Sequence, residues 1–208
     1  MLNKLIIIGA GGHCRSVLSA AKLMQTWEDY KVIDFNSSKQ NEQIMGCKVL
    51  PFNKISELNG KNIDFFIAVG DNILRKSIFK KISNLKCNFV NIHHPNALID
   101  SHSKIGIGNY FGQFSNIGAC ANMGNFNIIN SFGNIEHEVK IGNFNHLAPS
   151  STICGRSELK NGVFIGSKAV VIEKIKIAEN TIIGAGSVVL KSVNEANKKL
   201  VGIPARIL

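Results

Sequence analysis

The chain has 208 residues, enough for one or two domains, and 45% of them are hydrophobic, as in an ordinary soluble protein. Its formal net charge of +10 favours acidic partners such as phosphorylated small molecules, but the basic residues are scattered without interleaved aromatics, so we expect no nucleic-acid binding. No apolar run approaches the roughly 18 residues of a membrane span, so we expect no membrane contact.

The chain opens with a pattern typical of a strand, a glycine turn and a helix. An apolar run over 5–8 leads into Gly9-Ala10-Gly11-Gly12-His13, and apolar residues then recur at helical spacing to Ala21. Such a turn lets a phosphate approach backbone N–H groups at the start of a helix. Because the motif lacks the third glycine of G-x-G-x-x-G, a turn that only joins strand to helix is an alternative.

Strands and helices alternate over the rest of the first domain. Strands are predicted over 30–35, 64–69 and 88–92, with a turn-rich connection over 46–51 and at most a short helix over 55–58. A basic helix over 73–85 directs Arg75, Lys76, Lys80 and Lys81 outward. This alternation predicts a Rossmann-like α/β domain with a small parallel sheet. Asp34 lies where dinucleotide-binding folds place a ribose carboxylate, so NAD binding is an open alternative.

The second domain is predicted from a hydrophobic period of six. His93-His94-Pro95 marks the junction, which gives domains of 1–94 and 95–208. Neither a helix nor a simple strand has this period, whereas a chain that turns a corner every six residues does, with one large side chain inward per face. We expect a parallel β-helix of a little over five 18-residue coils, roughly 25 Å long. The residue after each anchor is often Gly or Ala, as a tight corner allows. The anchors are Ile99, Ile105, Phe111, Ile117, Met123, Ile129, Ile135, Ile141, Leu147, Ile153, Leu159, Ile165, Val171, Ile177, Ile183 and Val189.

Residues 18 apart stack in such a helix, and this places His137 between Ala119 and Gly155. Both neighbours have almost no side chain, so the imidazole is expected to be accessible. Glu138 follows directly, in one column with Arg156. An accessible imidazole oriented by a carboxylate suits a general base. The alternative is a histidine that is hydrogen-bonded on the coil surface without a catalytic role.

Metal binding and disulfides are the other uses of such residues. His137 and His146 are half a coil apart and His102 is displaced from both, so a zinc site would need a subunit contact, and we expect no metal. The cysteines are odd in number and lack metal-ligand spacing, so we expect reduced, buried thiols and a cytoplasmic protein. They are Cys14, Cys47, Cys87, Cys120 and Cys154.

Taken together, the motifs resemble those of the hexapeptide-repeat sugar O-/N-acetyltransferases of the NeuD/PglD type. The resemblance covers essentially the whole chain and implies an all-β left-handed parallel β-helix after the α/β domain. The motifs that carry it are Gly9-Ala-Gly-Gly-His13, Ala68-Val-Gly-Asp-Asn72 with Arg75, His94-Pro95, Ile135-Glu-His-Glu138, Ile141-Gly-Asn-Phe-Asn-His146 and Gly202-Ile-Pro-Ala205.

The resemblance implies acetyl transfer from acetyl-CoA to the amino group of a nucleotide-activated 4-amino-4,6-dideoxy sugar for surface glycan biosynthesis. It implies a homotrimer with active sites between subunits, in which His137 is the base and Glu138 raises its basicity. The residues implied for acetyl-CoA are His146, Gly155, Ser167 and Ala185. Those implied for the sugar nucleotide are Gly11, Gly12, His13, Asp34, Ser37, Gly70, Asn72 and Asn130.

The chain departs from the pattern of the family at one point. Members that use UDP-sugars usually carry an Asp-Asp pair where this chain has Asn36-Ser37-Ser38, so a UDP-, GDP- or CMP-linked sugar or a free sugar is possible. A sialic acid O-acetyltransferase is the near alternative. A trimeric scaffold that binds nucleotide without catalysis is the alternative from another class.

Overall fold

A computed structural model describes residues 3–36, 42–58, 62–85 and 87–208 of the protein. It divides into two compact units, Met1–Pro95 and Asn96–Leu208. Among the described residues, no helix is long and apolar enough to cross a bilayer.

The first unit is an α/β fold around a six-stranded sheet, as predicted. The sheet order is β3-β4-β2-β1-β5-β6, and central β1 runs parallel to both of its neighbours, with Ile7 opposite Val32 and Phe66. The three consecutive isoleucines of β1 are fully buried, so this strand forms the core of the unit. The elements are β1 (Lys4–Ile8), α1 (Gly12–Met24), β2 (Asp29–Asp34), β3 (Gln43–Ile44), β4 (Cys47–Pro51), a 3₁₀ helix (Phe52–Leu58), β5 (Ile63–Ile67), α2 (Asn72–Ile82), β6 (Asn88–Phe89) and β7 (Ile92–His93).

One part of the sheet differs from the sequence prediction. The stretch 46–51, predicted as a turn-rich connection, contains β4, which pairs with β2 and forms an antiparallel hairpin with β3. The hairpin turns at Met45 and Gly46, whose φ angles are +49° and +84°. Two positive φ angles suit the right-handed twist of strands joined by a two-residue hairpin turn. Methionine rarely adopts a positive φ, so the sequence indicates this hairpin only weakly.

The second unit is a parallel β-helix of two-residue strands, as the hexapeptide period predicts. From β8 to β20, each strand pairs in parallel with the strand 18 residues later, for example Asn116 with Asn134 and Ile117 with Ile135. Three sheets result, one for each side of the coil. The strands are β8 (Leu98–Ile99), β9 (Lys104–Ile105), β10 (Tyr110–Phe111), β11 (Asn116–Ile117), β12 (Asn122–Met123), β13 (Ile128–Ile129), β14 (Asn134–Ile135), β15 (Lys140–Ile141), β16 (His146–Leu147), β17 (Thr152–Ile153), β18 (Glu158–Leu159), β19 (Phe164–Ile165), β20 (Val170–Val171), β21 (Lys176–Ile177), β22 (Ile182–Ile183) and β23 (Val188–Val189).

The predicted anchors fill the interior of the coil. From Phe111 to Val189 every anchor is at most 4% exposed, and they form one continuous core. Ile99 is 37% exposed and Ile105 is only partly buried, since both belong to the first coil of the unit. Burying one such side chain contributes on the order of 1.5 to 3 kcal/mol.

The corners of the coil correct one expectation. For the anchors from Ile105 to Ile183, the residue three after the anchor, and not the glycine directly after it, turns the chain with a positive φ, as at Phe114, Glu138 and Arg156. The glycine after the anchor has another purpose, because a Cβ at Gly112 would lie 2.6 Å from the backbone nitrogen of Ser131 on the next coil. Small residues there allow neighbouring coils to approach closely.

Buried polar groups also stack along the coil. Asn109, Asn127 and Asn145 are fully buried, and the Oδ1 of each of the first two accepts a hydrogen bond from the backbone N–H of the next asparagine at 2.8 Å. Asn145 Oδ1 accepts the N–H of Val163 at 2.6 Å. Such bonds offset the cost of burying amides in the interior.

The end of the coil is covered by a hairpin. β24 (Lys199–Val201) continues the sheet of β22, but Ile182 pairs with Lys199, 17 residues later, because the repeat has ended. β25 (Arg206–Ile207) runs antiparallel to β24. This hairpin ends the series of parallel strands in that sheet and shields one sheet edge.

The cysteines are free thiols, but the expectation that all are buried is wrong. Cys14 is buried on α1, and burial raises its pKa to about 12. Cys120 is exposed at a corner of the coil, and the other three are half-buried.

Candidate active site

The strongest candidate for catalysis is an exposed histidine and glutamate pair on the β-helix. His137 and Glu138 form the corner after β14, with side chains 55% and 48% exposed. The Nδ1 of His137 lies 3.1 Å from Oε2 of Glu138. The sequence analysis selected this pair, and the structure brings the two side chains into contact.

The next coil completes the surroundings of this pair. Arg156 lies one coil after Glu138, and its Nε donates to the same Oε2 atom at 2.8 Å. Its backbone N–H also donates to the carbonyl oxygen of His137 at 3.1 Å. Glu138 and Arg156 have nearly equal positive φ angles of 59° and 61°, so their side chains leave the coil in the same direction.

Gly155 leaves room for the imidazole. A Cβ on Gly155 would lie 2.6 Å from both Cε1 and Nε2 of His137, so any larger residue would displace the ring. This agrees with the expectation that small residues in the column keep the imidazole accessible.

The contacts of the pair determine what it can do chemically. The bond from Arg156, and after it the contact with His137, holds the pKa of the Glu138 carboxyl below its ordinary value. An ionised carboxylate at Nδ1 favours the tautomer that carries its proton on that nitrogen. Nε2 then has the lone pair, and the ring can accept a proton there.

The residues expected to bind acetyl-CoA lie at different places around the coil. Gly155 is at the corner after β17, beside His137, whereas Ser167 and Ala185 stack at the corner that follows β19 and β22. His146 lies on β16, in the same sheet as β19, and its ring contacts Phe164 edge to face at 5.2 Å between centroids. A single β-helix therefore presents these residues in two groups.

Asn130 lies at the corner after β13, on the side of the coil that carries Ser167. Its Oδ1 accepts the backbone N–H of Ser131 at 2.9 Å, and its own N–H donates to the carbonyl of Leu147 at the same distance. It is separate from His137 within one coil, although the two are close in sequence.

In the first unit, the candidate nucleotide residues gather at one edge of the sheet. Gly11 precedes α1, Gly12 and His13 begin it, and Gly70 lies in the loop between β5 and α2. Asn72 is itself the first residue of α2. Because β1 and β5 are parallel neighbours, the two strand-to-helix connections leave the same edge. They also pack closely: Gly9 has a φ of +108°, and a Cβ there would lie 2.7 Å from Cγ2 of Val69.

Asp34 supports the glycine turn from the end of β2. Its Oδ2 accepts the backbone N–H of Ala10, and its Oδ1 accepts that of Asn36 at 2.6 Å. The carboxylate thus fixes the backbone of the turn. Ser37 lies outside the described residues.

The side chain of Arg75 is buried, so the prediction that it points outward from the helix is wrong. It is 1% exposed and donates to the carbonyls of Val69 and Gly70 at 2.8 and 3.0 Å and to Oδ1 of Asn72 at 2.7 Å. Burial lowers its pKa to about 9, against the smaller opposite influence of Asp71. The sequence holds one signal for this role, because Asn72 and Arg75 are three apart on one helix face.

In the described ranges, no three His, Cys, Asp or Glu side chains lie together as a group of metal ligands. The fold and the site together define a class: an α/β unit with an open glycine turn, followed by a hexapeptide β-helix that carries an exposed His–Glu pair.

Two family models match parts of the chain, one in each unit. The model of the PglD N-terminal domain matches residues 4–82, and that of the bacterial transferase hexapeptide (six repeats) matches residues 156–191. These matches confirm the resemblance to the hexapeptide-repeat sugar acetyltransferases of the NeuD/PglD type.

Solved structures have the same fold over the full length. A His-to-Ala mutant of GDP-perosamine N-acetyltransferase from Caulobacter crescentus, in complex with CoA and GDP-perosamine, is 26% identical with a TM-score of 0.92, covering 100% of this chain and 98% of that chain. The acetyltransferase domain of PglB from Neisseria gonorrhoeae, in complex with acetyl coenzyme A, is 23% identical with a TM-score of 0.90 and 100% coverage of both chains. WeeI from Acinetobacter baumannii is 23% identical with a TM-score of 0.91, covering 98% and 99%.

Proposed function

We propose that this protein transfers an acetyl group from acetyl-CoA to the amino group of a nucleotide-activated 4-amino-4,6-dideoxy sugar for surface glycan biosynthesis. The observation that carries the proposal is the exposed His137, which contacts Glu138 and lies over Gly155. The full-length similarity to an enzyme crystallised with CoA and GDP-perosamine supports this acceptor class.

His137 is the general base in this proposal. As the sugar amine attacks the thioester carbonyl, a C–N bond forms and Nε2 of His137 takes a proton from the amine nitrogen. The tetrahedral intermediate then collapses, the C–S bond breaks, and the imidazolium returns the proton to the leaving thiolate of CoA. Glu138 stabilises the imidazolium through Nδ1, as a carboxylate does in other histidine-based sites.

Acetyl-CoA binding calls for more than one copy of the chain. His146, Ser167 and Ala185 lie on a different side of the coil from Gly155, so one groove can contain both groups only between two β-helices. We therefore propose a homotrimer with active sites between subunits. In it, the backbone N–H of Gly155 stabilises the developing oxyanion, and the other three residues line the pantetheine groove.

The nucleotide binds the first unit in this proposal. Gly11, Gly12 and His13 present the N-terminus of α1, where aligned peptide dipoles favour phosphate oxygens. Gly70 and Asn72 flank the same edge, and Asp34 fixes the turn. Ser37 and Asn130 stay predicted contacts of the sugar nucleotide. The net charge of +10 attracts both anionic substrates. The free thiols support a cytoplasmic location.

The test is thiol release from acetyl-CoA with a panel of acceptors. We expect turnover with a UDP- or GDP-linked 4-amino-4,6-dideoxy sugar, and a loss of about 100-fold or more in the His137→Ala variant. His102→Ala is a matched control, because His102 is also exposed and its Nδ1 lies 3.2 Å from a carboxylate, that of Asp100. It should keep wild-type turnover.

Other results would contradict the proposal. Turnover only with sialic acid would favour O-acetylation. Silence with every acceptor, in a protein that still binds sugar nucleotides, would favour a trimeric scaffold. Wild-type turnover in His137→Ala would remove His137 from its role as base.

A further inference from the structure

We propose that Arg156 is a positioning residue for this reaction: from the neighbouring coil it fixes the Glu138 carboxylate, and through it the orientation of the His137 imidazole. The inference rests on the proposed function, because it assigns to Arg156 a role behind the His137 and Glu138 pair of the same site.

One carboxylate oxygen of Glu138 contacts the side chains of both Arg156 and His137. Oε2 of Glu138 accepts the Nε–H of Arg156 at 2.8 Å and lies 3.1 Å from Nδ1 of His137. Because the Glu138 side chain is half exposed, it could adopt several orientations without a partner, and the bond from Arg156 restricts them. Arg156 therefore limits where His137 can find its hydrogen-bond acceptor.

The position of Arg156 is itself fixed by the coil. Its backbone N–H bonds the carbonyl of His137, and its positive φ matches that of Glu138. The residue before it is Gly155, which makes room for the imidazole. Two consecutive residues of one coil thus shape the site: Gly155 accommodates the ring, and Arg156 holds the acid.

Charge gives Arg156 a second effect. The hydrogen bond from the Arg156 guanidinium is the main cause that holds the pKa of the Glu138 carboxyl below its ordinary value. Lys174, two coils after Glu138 in the same column, has its own ion-pair partner. Its Nζ lies 3.6 Å from Oε1 of Glu173, so its charge is partly compensated. The titratable and charged groups in the corner of the pair and in the corners stacked with it are Asp100, His102, Cys120, Glu136, Cys154, Arg156, Glu173 and Lys174.

Two substitutions separate position from charge. Arg156→Gln removes the charge, so we expect the acidic limb of the pH profile of kcat/KM to move upward by about half a unit and kcat to fall about three- to fivefold. Arg156→Lys keeps the charge but loses the planar donor, so kcat should fall while the limb stays near its wild-type position. Lys174→Gln is the control, because it removes a cation from the next coil of the same column and should change neither.

The titration of His137 can also be followed by NMR of histidine-labelled protein without any substrate. A higher midpoint in Arg156→Gln than in wild type, with Lys174→Gln unchanged, supports the inference even if no acceptor is turned over. That outcome separates it from the proposed reaction. Equal His137 midpoints in wild type and Arg156→Gln would overturn the inference, as would an unchanged kcat and pH profile in an active enzyme.

Discussion

The β-helix repeats one local rule along its length, whereas the α/β unit depends on contacts that occur once. In the coil, Ile135 and Ile153 are equivalent: both are fully buried, in one column, with a partner 18 residues away. In the α/β unit, the guanidinium of Arg75 fixes the loop between β5 and α2 through bonds that no other described residue repeats in that form. Substitutions at equivalent positions of the β-helix should therefore have similar effects on stability, whereas in the α/β unit the effect should depend on the individual residue.

The largest effect is expected from removing an anchor. Ile135→Ala and Ile153→Ala should each lower the free energy of unfolding by about 2 to 5 kcal/mol, since each opens a cavity in a continuous core. Denaturant titration measures both. Ile182→Ala is the control, because that side chain points outward and is 38% exposed, and it should cost about 0.5 kcal/mol or less. Very different losses at the two anchors would break the equivalence.

The next effect concerns the unique contact. Arg75→Met should cost about 1 to 3 kcal/mol, because it removes the donor that serves the carbonyls of Val69 and Gly70. The KM for the sugar nucleotide should rise, while the KM for acetyl-CoA should not change. Lys76→Met, on the exposed side of the same helix, serves as the control in thermal unfolding and kinetics. Equal losses of stability in Arg75→Met and Lys76→Met would show that the buried hydrogen bonds of Arg75 do not stabilise this loop.

Two glycines of the coil should respond in opposite ways. Gly155→Ala meets a half-exposed ring that can shift, so we expect activity to fall about tenfold with little change in stability. Gly112→Ala meets the backbone of the next coil, so stability should fall by about 1 to 3 kcal/mol. Paired measurements of kcat and thermal midpoint check this. A stable, fully active Gly155→Ala would show that the ring tolerates a methyl group beneath it.

The smallest effect is a shift in pH dependence. Because the pKa of Glu138 is lowered, its carboxylate stays ionised down to lower pH than an isolated one, and only below that does it protonate. The acidic limb of kcat/KM should therefore report one proton, which the general base binds. Glu138→Gln removes an anion and should move the limb to lower pH. Glu158→Gln, whose carboxyl is likewise lowered in pKa by Lys160, should leave it in place. A limb that follows two protons would contradict this assignment.

The same contrast explains what the sequence predicted. A period of six identifies the coil, its register and the stacking of His137 on Gly155, because each repeat reports the same geometry. It did not identify the residue that turns the corner, since Phe114, Glu138 and Arg156 have side chains that rarely adopt positive φ. The burial of Arg75 and the strand β4 could not be predicted from local pattern, because each depends on a partner distant in sequence or on an unusual turn residue.

The strict 18-residue spacing has a consequence for how the length of the chain can change. Deleting a single residue between two anchors would move every later anchor off its inward position, whereas removing or duplicating one whole coil would leave all remaining pairs in place. The β-helix can therefore lengthen or shorten without changing which residues stack only in steps of one coil. An inserted coil before residue 134 would carry the His137 corner about 4.8 Å further along the axis with its local geometry intact.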